Sequence, residues 1–234
     1  MKKIFTLIAV AAMALSANAQ KVYDFTNVSD AAKQALAAAT DKWAASTEGT
    51  DPNTFTRYQY KEEIAKDTYT DYAVLGFSDG AGIEVGRSGG KMSAGSCIRI
   101  DVDQRIQLNC SNGVFKVKNL KANDVVKISF ACASNSEDRT FTVTNADKAS
   151  LTATKDQAKI EETLTIAADG DLVLTQSKAI NIYAIAINAD LPTGIQTVKA
   201  VKNADAATYN LAGQKVDNSF KGVVIKNGQK MIQK

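Results

Sequence analysis

Apolar residues recur at every second position along most of this chain. Ile98-Arg99-Ile100-Asp101-Val102 shows the pattern, and Arg105-Ile106-Gln107-Leu108-Asn109 repeats it. A period of two belongs to a strand with one face covered and one face wet. Strands are predicted over 22–26, 54–60, 72–77, 96–102, 104–110, 113–118, 124–133, 139–144, 149–154, 160–168, 171–175 and 179–188. One segment departs from this. Ser29 to Ala39 is Ala-rich with Ser29 placed as an N-cap, which predicts a short helix. Lys42-Trp43 follows it, then a polar stretch through Pro52 that reads as loop. Asn112-Gly113 and Asp169-Gly170 are hairpin signals. Many short strands, one short helix and no β-α alternation predict an all-β, jelly-roll-like β-sandwich over 20–190. A small C-terminal β module follows over 191–234.

The first nineteen residues do not fit that pattern. Lys2 and Lys3 precede an apolar run from Ile4 to Leu15, and Ala17-Asn18-Ala19 is a small-x-small cleavage site. This is a signal peptide cleaved after Ala19, too short for a membrane anchor helix. No Cys follows the cleavage site, and no later segment is apolar for long enough to span a bilayer. The expected mature protein is exported and soluble.

Composition then narrows the chemistry. The 234 residues include 28 Lys+Arg, 25 Asp+Glu, 3 Cys and no His. Without His there is no Ser-His-Asp or Cys-His nucleophile and no imidazole switch. A near-neutral balance supplies no polycation for nucleic acid. The charge is uneven: residues 193–234 carry seven Lys against Asp205 and Asp217, whereas 20–192 has an excess of acids. That break coincides with Pro192-Thr193-Gly194 and marks a domain boundary. Alternation sets Cys110 and Cys132 on apolar strand faces, as a disulfide or as buried thiols, and sets Cys97 on the polar side with Arg99 and Asp101.

The polar side of 96–110 is the most chemically suggestive surface. Arg99, Asp101, Arg105, Gln107 and Asn109 point away from the apolar face, and such groups form paired hydrogen bonds with sugar hydroxyls. Trp43, Tyr58, Tyr60, Tyr69 and Tyr72 supply candidate stacking platforms. The plainer alternative is a wet sheet face, with Trp43 as a core plug. The Gly-rich run from Gly80 to Gly90 lacks a P-loop ending and reads as a flexible loop or sheet edge. Asp101 with Asp103, and Asp169 with Asp171, stand as partial calcium sites or as solvated turns. No cofactor is expected beyond such a structural calcium. Glu62-Glu63 and Glu161-Glu162 point opposite ways on a strand, so neither pair flanks a glycosidic bond alone.

Two resemblances add to this. Tyr209-x-Leu211-x-Gly213, then Lys221-Gly222-Val223-Val224-Ile225, then Asn227-Gly228-Gln229-Lys230 with a basic end, resembles the C-terminal sorting domain of the type IX (Por) secretion system of Bacteroidota-type proteins. The matching positions are Gly213, Gly222, Asn227, Gly228 and Lys230; Gln229 departs from the usual paired Lys. The resemblance implies secretion machinery as a partner and surface attachment. By itself the tail reads as a β unit with Val223, Ile225 and Ile232 facing a core. The main domain resembles, diffusely, the jelly-roll modules of secreted glycan-handling proteins, through Val22-Tyr23-Asp24-Phe25-Thr26, residues 98–109, Arg139-Thr140-Phe141-Thr142-Val143 and Ile180-Asn181-Ile182-Tyr183. The expected function is a non-catalytic, carbohydrate-binding or adhesion protein at the cell surface. The alternatives are a structural, fimbria-like subunit and a glycosidase or lyase accessory protein.

Overall fold

The computed structural model describes residues 20–89, 97–192, 208–210, 213–217, 220–226 and 229–233. The signal segment with Ala19, the Asn227-Gly228 pair and the side chain of Lys230 lie outside the described residues. The chain divides into two compact units, one ending at Thr193 and the other beginning at Gly194.

The first unit contains β1 (Lys21–Asp24), α1 (Asp30–Ala38), β2 (Trp43–Glu48), β3 (Phe55–Tyr60), β4 (Tyr69–Asp71), β5 (Ile83–Arg87), β6 (Ile98–Asp101), β7 (Arg105–Leu108) and β8 (Gly113–Leu120). It continues with β9 (Val125–Cys132), β10 (Arg139–Thr144), β11 (Ser150–Ala153), β12 (Ile160–Thr165), β13 (Gly170–Gln176) and β14 (Ile180–Ile187). These form an eight-stranded sheet in the order β12-β9-β14-β7-β6-β3-β2, with β1 also beside β14, and a six-stranded sheet in the order β11-β10-β13-β8-β5-β4. From β7 onward the chain changes sheet at every connection except β10 to β11. The unit is a jelly-roll-like β-sandwich with one helix.

Burial of the facing sides holds the sheets together. Ile98, Ile100, Ile106, Phe130, Ile182 and Ile185 of the larger sheet are no more than 2% exposed, as are Ile83, Phe115, Phe141, Leu172 and Leu174 of the smaller. Each such side chain stabilises the fold by about 1.5–3 kcal/mol. Phe130 and Phe141 meet edge to face at 5.7 Å, one from each sheet. Helix α1 forms where its sequence predicts, with the Ser29 hydroxyl accepting from the Ala32 N–H at 3.1 Å, and it buries Ala32 and Leu36.

Several local expectations are corrected. Asn112-Gly113 and Asp169-Gly170 are not hairpins but crossovers between the sheets. Asn112 does turn, at φ 54°. The strands on either side, however, have apolar faces that meet across the core and not side by side. Buried Gln176 secures that crossing, its amide donating to the carbonyls of Leu108 at 2.6 Å and Cys110 at 2.7 Å. Residues 72–77 form turns, because Asp71 captures the chain: its carboxylate accepts from the N–H groups of Ala73 and Gly82. The polar stretch after Trp43 is a strand, β2, at a sheet edge where polar residues are tolerated. The Gly-rich run contains β5, an interior strand, whose glycine is required by close approach. A Cβ on Gly86 would lie 2.2 Å from the Thr68 carbonyl oxygen.

The cysteines are all free. Cys97 does not face the polar side. It precedes β6, outside the alternation, and is buried beside Cys110, its thiol interacting with that of Cys110. Cys132 pairs with neither, donating instead to the Ser134 carbonyl at 2.9 Å.

The second unit contains β15 (Thr208–Asn210), β16 (Lys215–Val216), β17 (Gly222–Lys226) and β18 (Gln229–Gln233), in the order β16-β15-β17-β18. Gly213 adopts a left-handed φ of 78° between β15 and β16, a conformation glycine favours. The expected core face is corrected. Val224 is fully buried, whereas Ile225 and Ile232 are 38% and 72% exposed and Val223 is half-buried. Pairing of Val223 with Ile232 and of Tyr209 with Ile225 sets these residues together on the face opposite Val224.

Two measurements test this packing. Gly86→Ala should lower the unfolding free energy by ~1–3 kcal/mol in urea, as overpacking does; an unchanged midpoint would show that β4 gives way. Cys110 is half-buried, and the Cys97 hydrogen bond and Arg87 together hold its pKa below an ordinary thiol's, while Cys97 is pushed up. Iodoacetamide should therefore label Cys110 before Cys97 or Cys132, beginning at lower pH than for a free cysteine. Peptide mapping across a pH series reads the order, and first labelling at Cys97 would contradict it.

Candidate functional site

Each strand of the larger sheet has its second face turned away from the smaller sheet, and there the polar residues assemble. Cross-strand register builds a row: Ala44 beside Gln59, Gln59 beside Arg99, Arg99 beside Gln107, Gln107 beside Asn181, and Asn181 beside Ala131. A second row sets Ser46 beside Arg57, Arg57 beside Asp101, and Asp101 beside Arg105. Neighbours of this kind interact directly.

The second row is an ion-pair network. Arg57 grips Asp101 side-on, Nε to Oδ1 at 2.7 Å and Nη2 to Oδ2 at 3.0 Å. Arg105 Nε donates to the same Oδ2 at 3.0 Å, and Arg57 Nη1 reaches Glu48 at 3.2 Å. Asp101 is only 2% exposed, so two guanidiniums enclose one buried carboxylate. The Asp101 hydrogen bond, with the charges of Asp101 and Glu48, raises the Arg57 pKa against the opposing effect of burial.

The first row is an amide relay. Gln107 Nε2 donates to Asn181 Oδ1 at 2.7 Å, and Arg99 Nη1 donates to Gln107 Oε1 at 3.3 Å. Gln107 and Asn181 are both buried. Two buried polar atoms nearby have no hydrogen-bond partner: Arg99 Nε and, one strand further, Ser129 Oγ. Burial lowers the pKa of Arg99, and the charges of Arg57 and Arg105 add to that effect.

The chain thus brings Arg99, Asp101, Arg105 and Gln107 together, as their alternation implies. Asn109 lies past the end of β7, its N–H donating to the Cys97 carbonyl at 2.5 Å. Asp101 serves as an anchor for two guanidiniums. The candidate platforms are corrected. Trp43, Tyr58 and Tyr60 are 3%, 9% and 8% exposed in the core, on the face opposite Arg99. Trp43 stands directly across from Tyr60, so alternation turns both inward while Gln59 turns outward. The Trp43 indole N–H donates to the Leu75 carbonyl. Tyr72 is fully buried, and Tyr69, in the smaller sheet, holds the Lys116 ammonium 3.3 Å from its ring centre.

An aromatic ring is nevertheless present on the polar face. The register of β14 against β9 shifts between Ile182 and Ala184, so that Tyr183 and Ala184 together oppose Ser129. Tyr183, half-buried, lies two residues after Asn181 on the same face, with the Lys159 ammonium 4.9 Å from its ring centre; the shift keeps Ile185 and Ile187 turned to the core. The sequence carries the signal: apolar residues fall at Ile180 and Ile182, then at Ile185 and Ile187, a slip of one position.

The partial calcium sites have other occupants. Asp103 accepts from Lys33 and the Val28 N–H, Asp169 from Lys121 and the Ala122 N–H, and Asp171 from the Asn119 N–H. Among the described residues no three His, Cys, Asp or Glu side chains group to hold a metal.

No protein-family model matches the chain, and no curated protein matches it significantly. Partial likeness exists to solved structures. One is CBM51-2 with INT domains from Clostridium perfringens ZmpB in complex with GlcNAc, at 13% identity and a TM-score of 0.31, covering 64% of this chain and 41% of that one. Another is CBM51 from Clostridium perfringens GH95 in complex with methyl-galactose, at 14% identity and 0.28, covering 53% and 94%. A third is the apo CBM1 of BiXyn10A, at 11% and 0.27, covering 73% and 97%. At these scores the likeness does not bear on ligand or activity, and this chain spans less than half the length of the first.

Removing a buried carboxylate from between two guanidiniums leaves charge uncompensated. Asp101→Ala should lower stability by ~3–5 kcal/mol. Arg105→Ala removes a partner that is 30% exposed and should cost about 1 kcal/mol or less. Urea titration of both variants tests the ranking, and equal losses would contradict it.

Proposed function

We propose that this chain is an exported, non-catalytic glycan-binding protein whose C-terminal unit directs it to the cell surface. The observation that carries the binding half is the Arg99–Gln107–Asn181 row with Tyr183 beside it. It combines planar donors and acceptors with an aromatic ring, the two elements that sugar recognition uses. The non-catalytic half is supported by the state of Asp101 and Glu48, the carboxylates nearest Arg99: both are engaged by Arg57, so neither is placed as a free acid or base. Export and sorting are supported by the Lys2-Lys3, apolar, Ala17-Asn18-Ala19 leader and by the Tyr209 to Lys230 motif. Secretion machinery is the partner that motif implies.

A glycan array probed with residues 20–234 tests the binding half. Reproducible hits are expected. For the best hit, Tyr183→Ala should weaken binding by roughly three- to tenfold, the scale of one aromatic contact. Trp43→Phe, altering the opposite face, should leave affinity unchanged even if stability falls. A blank array with folded protein would overturn the assignment, and the reverse ranking of the two variants would move the site off this face.

A further inference from the structure

We propose that the polar face of the larger sheet selects an acidic sugar, with the Arg99 guanidinium receiving the carboxylate of a uronic acid residue. This rests on the glycan-binding role proposed above and names the class of glycan.

Over β2, β3, β6 and β7 the charges on the face do not balance. Arg57, Arg99 and Arg105 stand against Asp101 and Glu48, and both carboxylates are engaged by Arg57 or Arg105. Among the described residues Arg99 makes no ion pair, and its one hydrogen bond is the long 3.3 Å contact from Nη1 to Gln107. The Nε edge of a guanidinium is the edge by which Arg57 grips Asp101 here, through Nε and Nη2. On Arg99 the same edge has a buried Nε with no partner. A buried donor left unpaired costs about 1–3 kcal/mol, and more when it is charged. A planar carboxylate satisfies both N–H groups of that edge in a bidentate pair and brings the missing negative charge. Binding therefore requires the Arg99 side chain to rotate and bring this buried edge to the ligand.

The neighbours suit the remainder of a sugar ring. Gln107 and Asn181 continue the row from Arg99, and the unpaired Ser129 hydroxyl and the Tyr183 ring lie at its far end. Burial depresses the Arg99 pKa, with Arg57 and Arg105 adding to that effect and Asp101 and Glu48 opposing it.

The test is affinity electrophoresis of residues 20–234 in gels containing polygalacturonate, alginate, hyaluronan, fully methyl-esterified pectin or neutral galactan. Retardation is expected in at least one of the three uronate gels. Where polygalacturonate binds, the esterified polymer, with the same backbone and blocked carboxylates, should bind at least about tenfold more weakly. Arg99→Lys keeps the charge and removes the fork, and it should weaken uronate binding about tenfold; its melting temperature, measured alongside, confirms folding. Galactan or esterified pectin bound as tightly as the uronates, with Arg99→Lys unchanged, would overturn the acidic specificity and leave glycan binding intact. Uronate binding that Arg99→Lys leaves untouched would overturn the assignment to Arg99. Retardation in none of the five gels overturns this proposal. If the glycan array is blank too, the glycan-binding role falls with it.

Discussion

The large apolar side chains of the eight-stranded sheet gather on one face, and that face has to be shielded from water. Ile98, Ile100, Ile106, Phe130 and Ile182 have a single available cover, the apolar face of the six-stranded sheet. That requirement explains why most connections after β7 are arches and not hairpins. A hairpin would leave two apolar faces side by side in one sheet, whereas an arch sets them opposite each other. The same requirement turns Arg99, Asp101, Arg105 and Gln107 outward together, so the chemistry of the outer face is a by-product of how the core is covered.

Charge on that face is managed within the fold. Asp101 is inaccessible and bound by two guanidiniums, which makes it a positioning residue for Arg57 and Arg105. The relay from Arg99 through Gln107 to Asn181 is satisfied at one end and open at the other. Buried polar networks are usually closed, because an open one carries an uncompensated desolvation penalty. The open end at Arg99, beside Arg57 and Arg105, distinguishes this face from an ordinary wet sheet.

Tyr183 follows Asn181 by two residues, so alternation by itself sets it on the polar face. The irregularity after it acts on the core: without the register shift between Ile182 and Ala184, Ile185 and Ile187 would turn outward.

The sequence by itself determined the strand count to within small errors, the position and cap of α1, and the grouping of Arg99, Asp101, Arg105 and Gln107, because period-two alternation and N-cap chemistry are local. It did not determine which strands pair. Asn112-Gly113 reads as a hairpin turn because a left-handed Asn makes any tight turn, and only the distant Gln176 amide sets this one between two sheets. Alternation alone does not say which face of a strand is buried when both contain aromatics, so Trp43, Tyr58 and Tyr60 could be assigned to either. In the tail the buried side is that of Val224 and not of Ile225. Gly86 looks like a loop residue until the Thr68 carbonyl is seen against it. The cysteine pairing, Cys97 with Cys110, arises where two strands end and alternation no longer applies. Site geometry belonged to tertiary structure for the same reason: Asn181, Ser129 and Tyr183 come from strands far from residue 99 in the chain, and only register across β7, β14 and β9 places them on one face with it.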